Sequence, residues 1–103
     1  MNIVAVTACP TGIAHTYMAA EQLEKTGKRL GLSVKVETQG AMGIENELTA
    51  EDIRDAAAVL FAVGIPVQGK ERFEGKKIFE IPVADAIKNP EAALLKIRNE
   101  LGA

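Results

Sequence analysis

The sequence holds one cysteine, one histidine, one tyrosine and no tryptophan in 103 residues. A single cysteine excludes an internal disulfide and a Cys-x-x-Cys redox pair. With only one histidine beside it, most His/Cys metal clusters are excluded as well. An excess of one charge sign is also missing: 14 acidic residues stand against 12 basic ones, for a net charge of -2, whereas a general nucleic-acid binder carries a basic excess. No run of about 18 apolar residues is available to span a membrane. The opening MNIVAVTACPTG lacks the basic region of a signal peptide, and its apolar run is too short for one. Internal repeats, linkers and low-complexity segments are absent too. These absences point to the cytoplasm and leave few residues for any chemistry.

What is present suffices for a single domain over residues 1–103 with one hydrophobic core. Hydrophobic residues make up 48% and charged residues 25%, the balance of an ordinary globular chain. Asn2 to Thr7 and Ala57 to Val63 are short, continuous apolar runs, the pattern of strands buried on both faces of a parallel sheet. Ser33 to Glu37 alternates, with Val34 and Val36 on one side, as a strand near a sheet edge does. Lys77 to Ile81 reads as a fourth strand ended by Pro82. Between the first two strands, Ile13, Tyr17, Ala20, Leu23 and Leu30 recur at helical spacing, with Gly31 as a stop signal; Tyr17 and Leu23 are assigned to the core. Thr38 to Leu48 reads as a long loop. Thr49 is a good N-cap, with Asp52 completing an approximate capping box for a helix to about Asp55 or Ala56. Gly64 to Gly75 reads as loop with one helical turn at most. A short helix follows over Ala84 to Lys88, and Asn89-Pro90 opens a last helix with Leu94, Ile97 and Leu101 on one face.

Alternating strands and helices imply right-handed crossovers. The expected fold is α/β: a three-layer open sheet of four mostly parallel strands in the order 2-1-3-4, with helices on both faces. A site in such a sheet lies beyond the carboxyl ends of the strands, where the winding reverses. That point is the end of the first strand, and the only cysteine, Cys9, sits there.

The loop Cys9, Pro10, Thr11, Gly12, Ile13, Ala14, His15, Thr16 is where chemistry can reside. The first turn of the following helix offers backbone N–H groups without partners inside the helix, together with the positive end of the helix dipole. That is a ready anion site, and the same field is expected to bring the Cys9 thiol below the free value of about 8.5. Gly12 lets the backbone approach an anion closely, Pro10 restricts the loop, and Thr11 and Thr16 offer hydroxyls. A thiolate in a phosphate-sized cradle suggests a covalent thiophosphate. By residue type alone, a lone cysteine at a strand end is otherwise a small buried hydrophobe. His15 reads either as a cation or donor for bound phosphate, or as a helix residue bonded to a neighbouring carbonyl. ETQG, Glu37 to Gly40, reads either as a wall of the site or as a plain strand-to-helix turn. Lys70, Arg72, Lys76 and Lys77, mixed with Glu71 and Glu74, read as a solvated face, with a docking patch as the alternative; the acidic stretch Glu45 to Asp55 reads as solvated helix surface.

A low-molecular-weight phosphatase also places a nucleophilic cysteine in such a loop, as Cys-x5-Arg with the arginine gripping two phosphate oxygens. Here that arginine position holds His15, and no Asp-Pro pair supplies a general acid. A loop so built holds phosphate and passes it on. Strand one ends in Val6-Thr7-Ala8, without the carboxylate of an aspartyl acceptor.

VTACPTGIAHTYMAAEQLE (Val6 to Glu24), VKVETQGAMGIENELTAEDI (Val34 to Ile53) and ERFEGKKIFEIPVADAIKNPE (Glu71 to Glu91) closely resemble the fructose-family enzyme IIB component of the bacterial phosphoenolpyruvate-dependent sugar phosphotransferase system. The resemblance covers nearly the whole chain. It implies that Cys9 accepts a phosphoryl group from a phosphohistidine of the IIA component and passes it to a fructose-like sugar bound by the membrane IIC component. It also implies residues 10–16 as the phosphate-binding loop and peripheral association with an inner-membrane transporter; no metal-ligand cluster is apparent, so no metal or other cofactor is expected. One departure stands out: many relatives are acidic near position 64, where this chain reads Val63-Gly64-Ile65-Pro66. Met1 and a full last helix favour a free-standing component. Two readings compete with the carrier: a Cys-dependent, low-molecular-weight phosphatase-like enzyme, and a non-catalytic anion-binding α/β module.

Overall fold

β1 (Asn2–Ala8) and β4 (Ala58–Val63) lie side by side at the centre of the sheet, because almost every side chain in them is apolar and has a layer to bury in on either face. The structure, a computed structural model, describes residues 1–9 and 13–102. Its sheet has five strands in the order β3-β2-β1-β4-β5. β2 (Ser33–Gly40) pairs with β1 and β5 (Ile78–Ile81) with β4, all parallel, and β3 (Gly43–Glu45) is an antiparallel edge on β2. The four expected strands thus keep their order and gain a fifth. The segment expected to be loop from Thr38 onward instead carries β2 on to Gly40 and then folds back as β3. β3 is three residues long and exposed throughout, so no apolar alternation marks it in the sequence.

α1 (Ile13–Arg29) covers one face together with α3 (Val83–Lys88) and α4 (Pro90–Glu100). Their core joins Ile3, Ala5, Ala19, Leu23, Leu60, Leu94 and Ile97. α2 (Ala50–Asp55) and a 3-10 turn at Lys70–Phe73 cover the other, around Val4, Val6, Ile53, Val59, Phe61 and Phe73. There the Phe61 and Phe73 rings meet edge to face at 5.3 Å, a favoured aromatic geometry.

Local chemistry sets the ends of these elements. α1 stops at Gly31, whose φ of 78° is left-handed, and the Leu32 amide reaches back to the Gly27 carbonyl at 2.8 Å, closing a Schellman motif. α2 starts on the expected capping box: Thr49 Oγ1 accepts from the Asp52 amide at 3.0 Å, and Asp52 accepts from the Thr49 amide at 2.9 Å. Asp52 also receives Lys35 Nζ at 2.8 Å. That bond, followed by the two from Thr49, lowers its carboxyl to about 2. α4 is capped by Asn89, with Pro90 at its start.

Tyr17 departs from its expected place in the core. It is 40% exposed, and its hydroxyl donates to Glu45 of β3. The buried side of α1 runs instead through Thr16, Ala19, Ala20 and Leu23. The helical period was right, but the stripe is centred on small residues because α1 lies close against β2. An added Cβ at Gly27 would stand 2.3 Å from Val34 Cγ2.

Candidate active site

β1 and β4 are where the sheet reverses direction: α1 returns the chain to β2 on one side of β1, and α2 carries it across to β4 on the other. The crevice of an open α/β sheet forms at this point. Cys9 follows β1 directly, one residue closer to the strand than the sequence suggests, and is 7% exposed. α1 begins four residues later with no acidic side chain in its first turn. The positive end of a 17-residue helix therefore carries no acidic side chain of its own in that turn.

Cys9 Sγ lies 3.8 Å from His15 Nδ1. That is within hydrogen-bonding reach for sulfur, and which of the two donates depends on the tautomer of the ring. His15 and Ala14 are exposed on the first turn of α1. Thr16 is 1% exposed, and its carbonyl accepts the Thr7 hydroxyl at 3.1 Å, so α1 is tied to β1 two residues before the cysteine. Of the sequence-selected loop, Cys9 and His15 meet directly, Thr16 is tied to β1 through Thr7, and Ala14 is exposed on the same turn. Pro10, Thr11 and Gly12 lie outside the described residues, and Ile13 is described by its backbone alone.

ETQG is not a strand-to-helix turn. It is the end of β2, and two of its side chains form a buried network on the face away from α1. Glu37 is fully buried, yet it accepts from Arg72 Nη1 and Nη2 at 2.8 and 3.0 Å, from Gln39 Nε2 at 2.7 Å, and from the Leu48 amide at 2.9 Å. Burial alone would raise this carboxyl. The hydrogen bonds from Arg72, Gln39 and Leu48, with the charge of Arg72, outweigh it and hold the group below its usual range. Arg72 is accordingly no part of a solvated basic face. Lys76 leaves that face too, since its ammonium binds the carbonyls of Arg54 and Ala56, both at 2.9 Å, where α2 ends. Sequence reasoning missed Glu37–Arg72. No local pattern marks it: by the alternation of Val34 and Val36, Glu37 falls on the other side of β2, where an exposed glutamate fits equally well.

A pocket of about 430 Å3 adjoins the carboxyl end of β4, lined by Phe61, Val63 to Val67, Lys70 and Glu80. A groove of about 740 Å3 between α2 and the 3-10 turn includes none of the residues around Cys9. Among the described residues, no group of three His, Cys, Asp or Glu side chains could hold a metal ion. None of the described helices is long and apolar enough to cross a membrane.

Comparison with known proteins bears directly on this geometry. A family profile described as "PTS system, Lactose/Cellobiose specific IIB subunit" matches residues 4–96. The chain is 52% identical over 100 residues to the PTS system fructose-like EIIB component 2 of Escherichia coli K12, covering 97% of this chain and 94% of that one. It is 53% identical over 93 residues to the PTS system 2-O-alpha-mannosyl-D-glycerate-specific EIIABC component of the same organism, covering 90% of this chain and 14% of that protein. The solution structure of an Enzyme IIB subunit of the PTS system from Escherichia coli K12 superposes with a TM-score of 0.92 at 42% identity, over 98% of this chain and 94% of that one. A lone cysteine at the switch point of such a sheet, in a chain alike over nearly its full length, leads to one assignment: the chain belongs to the IIB family of sugar phosphotransferase systems and is a phosphotransferase component of the fructose type.

Proposed function

We propose that Cys9 is the phosphoryl acceptor of this component, taking the group from a phosphohistidine of the IIA component and handing it to a fructose-like sugar held by the membrane IIC component. The observation that carries the reading is the placement of Cys9: directly after β1 at the switch point, before the N-terminus of α1, with His15 Nδ1 3.8 Å from its sulfur. Pro10, Thr11, Gly12, Ile13, Ala14, His15 and Thr16 form the phosphate-binding loop in this scheme. The chain works at the cytoplasmic surface, docked peripherally on the transporter, and needs no metal or other cofactor.

The chemistry is two in-line displacements. In the first, the thiolate attacks phosphorus and the S–P bond forms as the N–P bond breaks, the electron pair leaving with the donor's imidazole nitrogen. In the second, a sugar hydroxyl attacks phosphorus and the O–P bond forms as the S–P bond breaks, the electron pair leaving with sulfur as thiolate and the hydroxyl proton passing to solvent. The helix terminus favours the thiolate in both steps, as nucleophile and then as leaving group. Positioning and preorganised donors supply most of the acceleration in transfers of this kind.

Incubation with the phosphorylated upstream carriers tests the reading. Wild-type protein is expected to gain one phosphoryl group, mapped to Cys9, and to lose it when membranes and sugar are added. Cys9→Ser is expected to fold normally and fail to relay, because a serine hydroxyl is almost wholly un-ionised near pH 7 and an alkoxide leaves poorly. Release of free phosphate in place of a stable adduct would favour the phosphatase reading. A chain that gains nothing and releases nothing would be the anion-binding module.

A further inference from the structure

The transfer scheme gives no part to Gln39 and Arg72, although both belong to the buried network at the carboxyl end of β2. Gln39 stands opposite Ala8 in the ladder, the residue before Cys9. Its side-chain amide meets the main chain of Gln68 in both directions, Oε1 accepting from the Gln68 amide at 2.8 Å and Nε2 donating to the Gln68 carbonyl at 3.0 Å. Arg72 adds to the same junction: while its fork holds Glu37, Nη2 donates to the Gln68 carbonyl at 3.0 Å and Nε to the Gly69 carbonyl at 2.8 Å.

The segment so held begins at Gly64, whose amide donates to the Ala8 carbonyl at 2.7 Å. It leaves β4 on one side of β1 and is fastened to β2 on the other. It therefore crosses the carboxyl end of β1, where Cys9 emerges. On the opposite face, the Thr7 hydroxyl and Thr16 carbonyl tie β1 to α1. The strand end is thus braced from both faces, and on this face the brace depends on two side chains.

We propose that Gln39 and Arg72 are positioning residues for phosphoryl transfer at Cys9: they clamp the 64–69 segment across the end of β1, and the clamped segment fixes the main chain from which the nucleophile projects. The inference rests on the reading of Cys9 as phosphoryl acceptor. In-line transfer is sensitive to placement, and a shift of about 1 Å at the reacting atom can cost on the order of 100-fold in rate.

Two variants test it. Gln39→Met keeps the length of the side chain and removes both bonds to Gln68. Arg72→Lys keeps the positive charge against Glu37, but one ammonium replaces the fork that spans Glu37 and two carbonyls. Single-turnover phosphorylation by a range of phosphorylated donor concentrations, followed by intact mass, yields three quantities: the rate constant at saturating donor, the half-saturating donor concentration, and the final fraction modified. Both variants are expected to reach the wild-type end point with a saturating rate constant roughly 10–100-fold lower, at an unchanged half-saturating concentration. A purely structural role would lower the melting temperature or the end point and leave the rate constant alone. If one variant does not fold, the other decides. Wild-type rate constants in a folded variant would overturn the inference. So would a raised half-saturating concentration at an unchanged maximal rate, because that marks a docking contact. Wild-type protein that gains no phosphoryl group would instead overturn the acceptor reading, and this inference with it.

Discussion

Removing the guanidinium from Arg72 while leaving Glu37 in place isolates a charge in the interior, so Arg72→Met is the sharpest test of the buried network. Glu37 is fully buried and accepts four hydrogen bonds, two of them from Arg72. After the substitution the carboxylate keeps Gln39 and the Leu48 amide but has no counter-charge. Breaking a buried pair in this way costs about 3–5 kcal/mol, which in a domain of this size lowers the melting temperature by at least 12 °C or so. The sign of the pH dependence follows from the two carboxyls. In the wild type, the folded-state value lies below the unfolded one, so this stabilisation is complete above about pH 4.5 and is lost as the pH falls through the folded value. In Arg72→Met, burial is opposed only by the two remaining donors and the carboxyl rises. The variant then takes up a proton on folding, and its deficit shrinks as the pH is lowered from 7 toward 4.5. Adding Glu37→Gln removes the stranded charge, so the double variant should be more stable at pH 7 than Arg72→Met alone. Urea unfolding of the three proteins across this range measures all of it. A deficit for Arg72→Met below about 1 kcal/mol at pH 7, or one that does not narrow in acid, would refute the account of Glu37 as a paired, buried anion.

Three further outcomes are expected. Gly27→Ala should destabilise by roughly 1–3 kcal/mol in a thermal melt, because the clash with Val34 Cγ2 at 2.3 Å outweighs the roughly 1 kcal/mol that alanine gains in a helix; a more stable variant would show that α1 can move off β2. Thr49→Ala should cost about 1 kcal/mol, read by urea unfolding, because the Asp52 amide loses its partner at 3.0 Å; no change would mean that the box does not limit α2. His15→Ala should keep its melting temperature, since the side chain is exposed, and should slow transfer about tenfold, the worth of one hydrogen bond of about 1.4 kcal/mol; unchanged rates in both directions would show that His15 makes no contact with the phosphoryl group.

The parts of the fold legible in the sequence are those that a single short window determines. The buried strands β1 and β4 announce themselves as continuous apolar runs, the capping box of α2 as Thr49 and Asp52 three residues apart, and the start of α4 as Asn89-Pro90. Cys9 was legible for the same reason: its place depends only on a strand ending and a helix beginning nearby. β3 was hidden because an exposed strand of three residues has no core face to impose a period of two. Tyr17 was misplaced because helical spacing gives the period of the buried stripe but not its centre, and the close approach of β2 set that centre on alanines and Thr16. The Glu37–Arg72 pair joins residues 35 apart in sequence. No local pattern tells a paired buried glutamate from an exposed one, so Arg72 merged with the lysines around it.

That pairing also bears on the proposed choice of a carrier over a hydrolase. A cysteine phosphatase grips two phosphate oxygens with a guanidinium fork, which stabilises the charge that develops as water attacks the phosphocysteine. In this chain the matching loop position is His15. The arginine of the buried network, Arg72, has its fork committed to Glu37 and two carbonyls. Neither group provides a planar, bidentate clamp at Cys9. The dipole of α1 and a single imidazole can hold a phosphoryl group without such a clamp. Under the proposed scheme, a phosphocysteine held so lightly persists until a sugar hydroxyl reaches it.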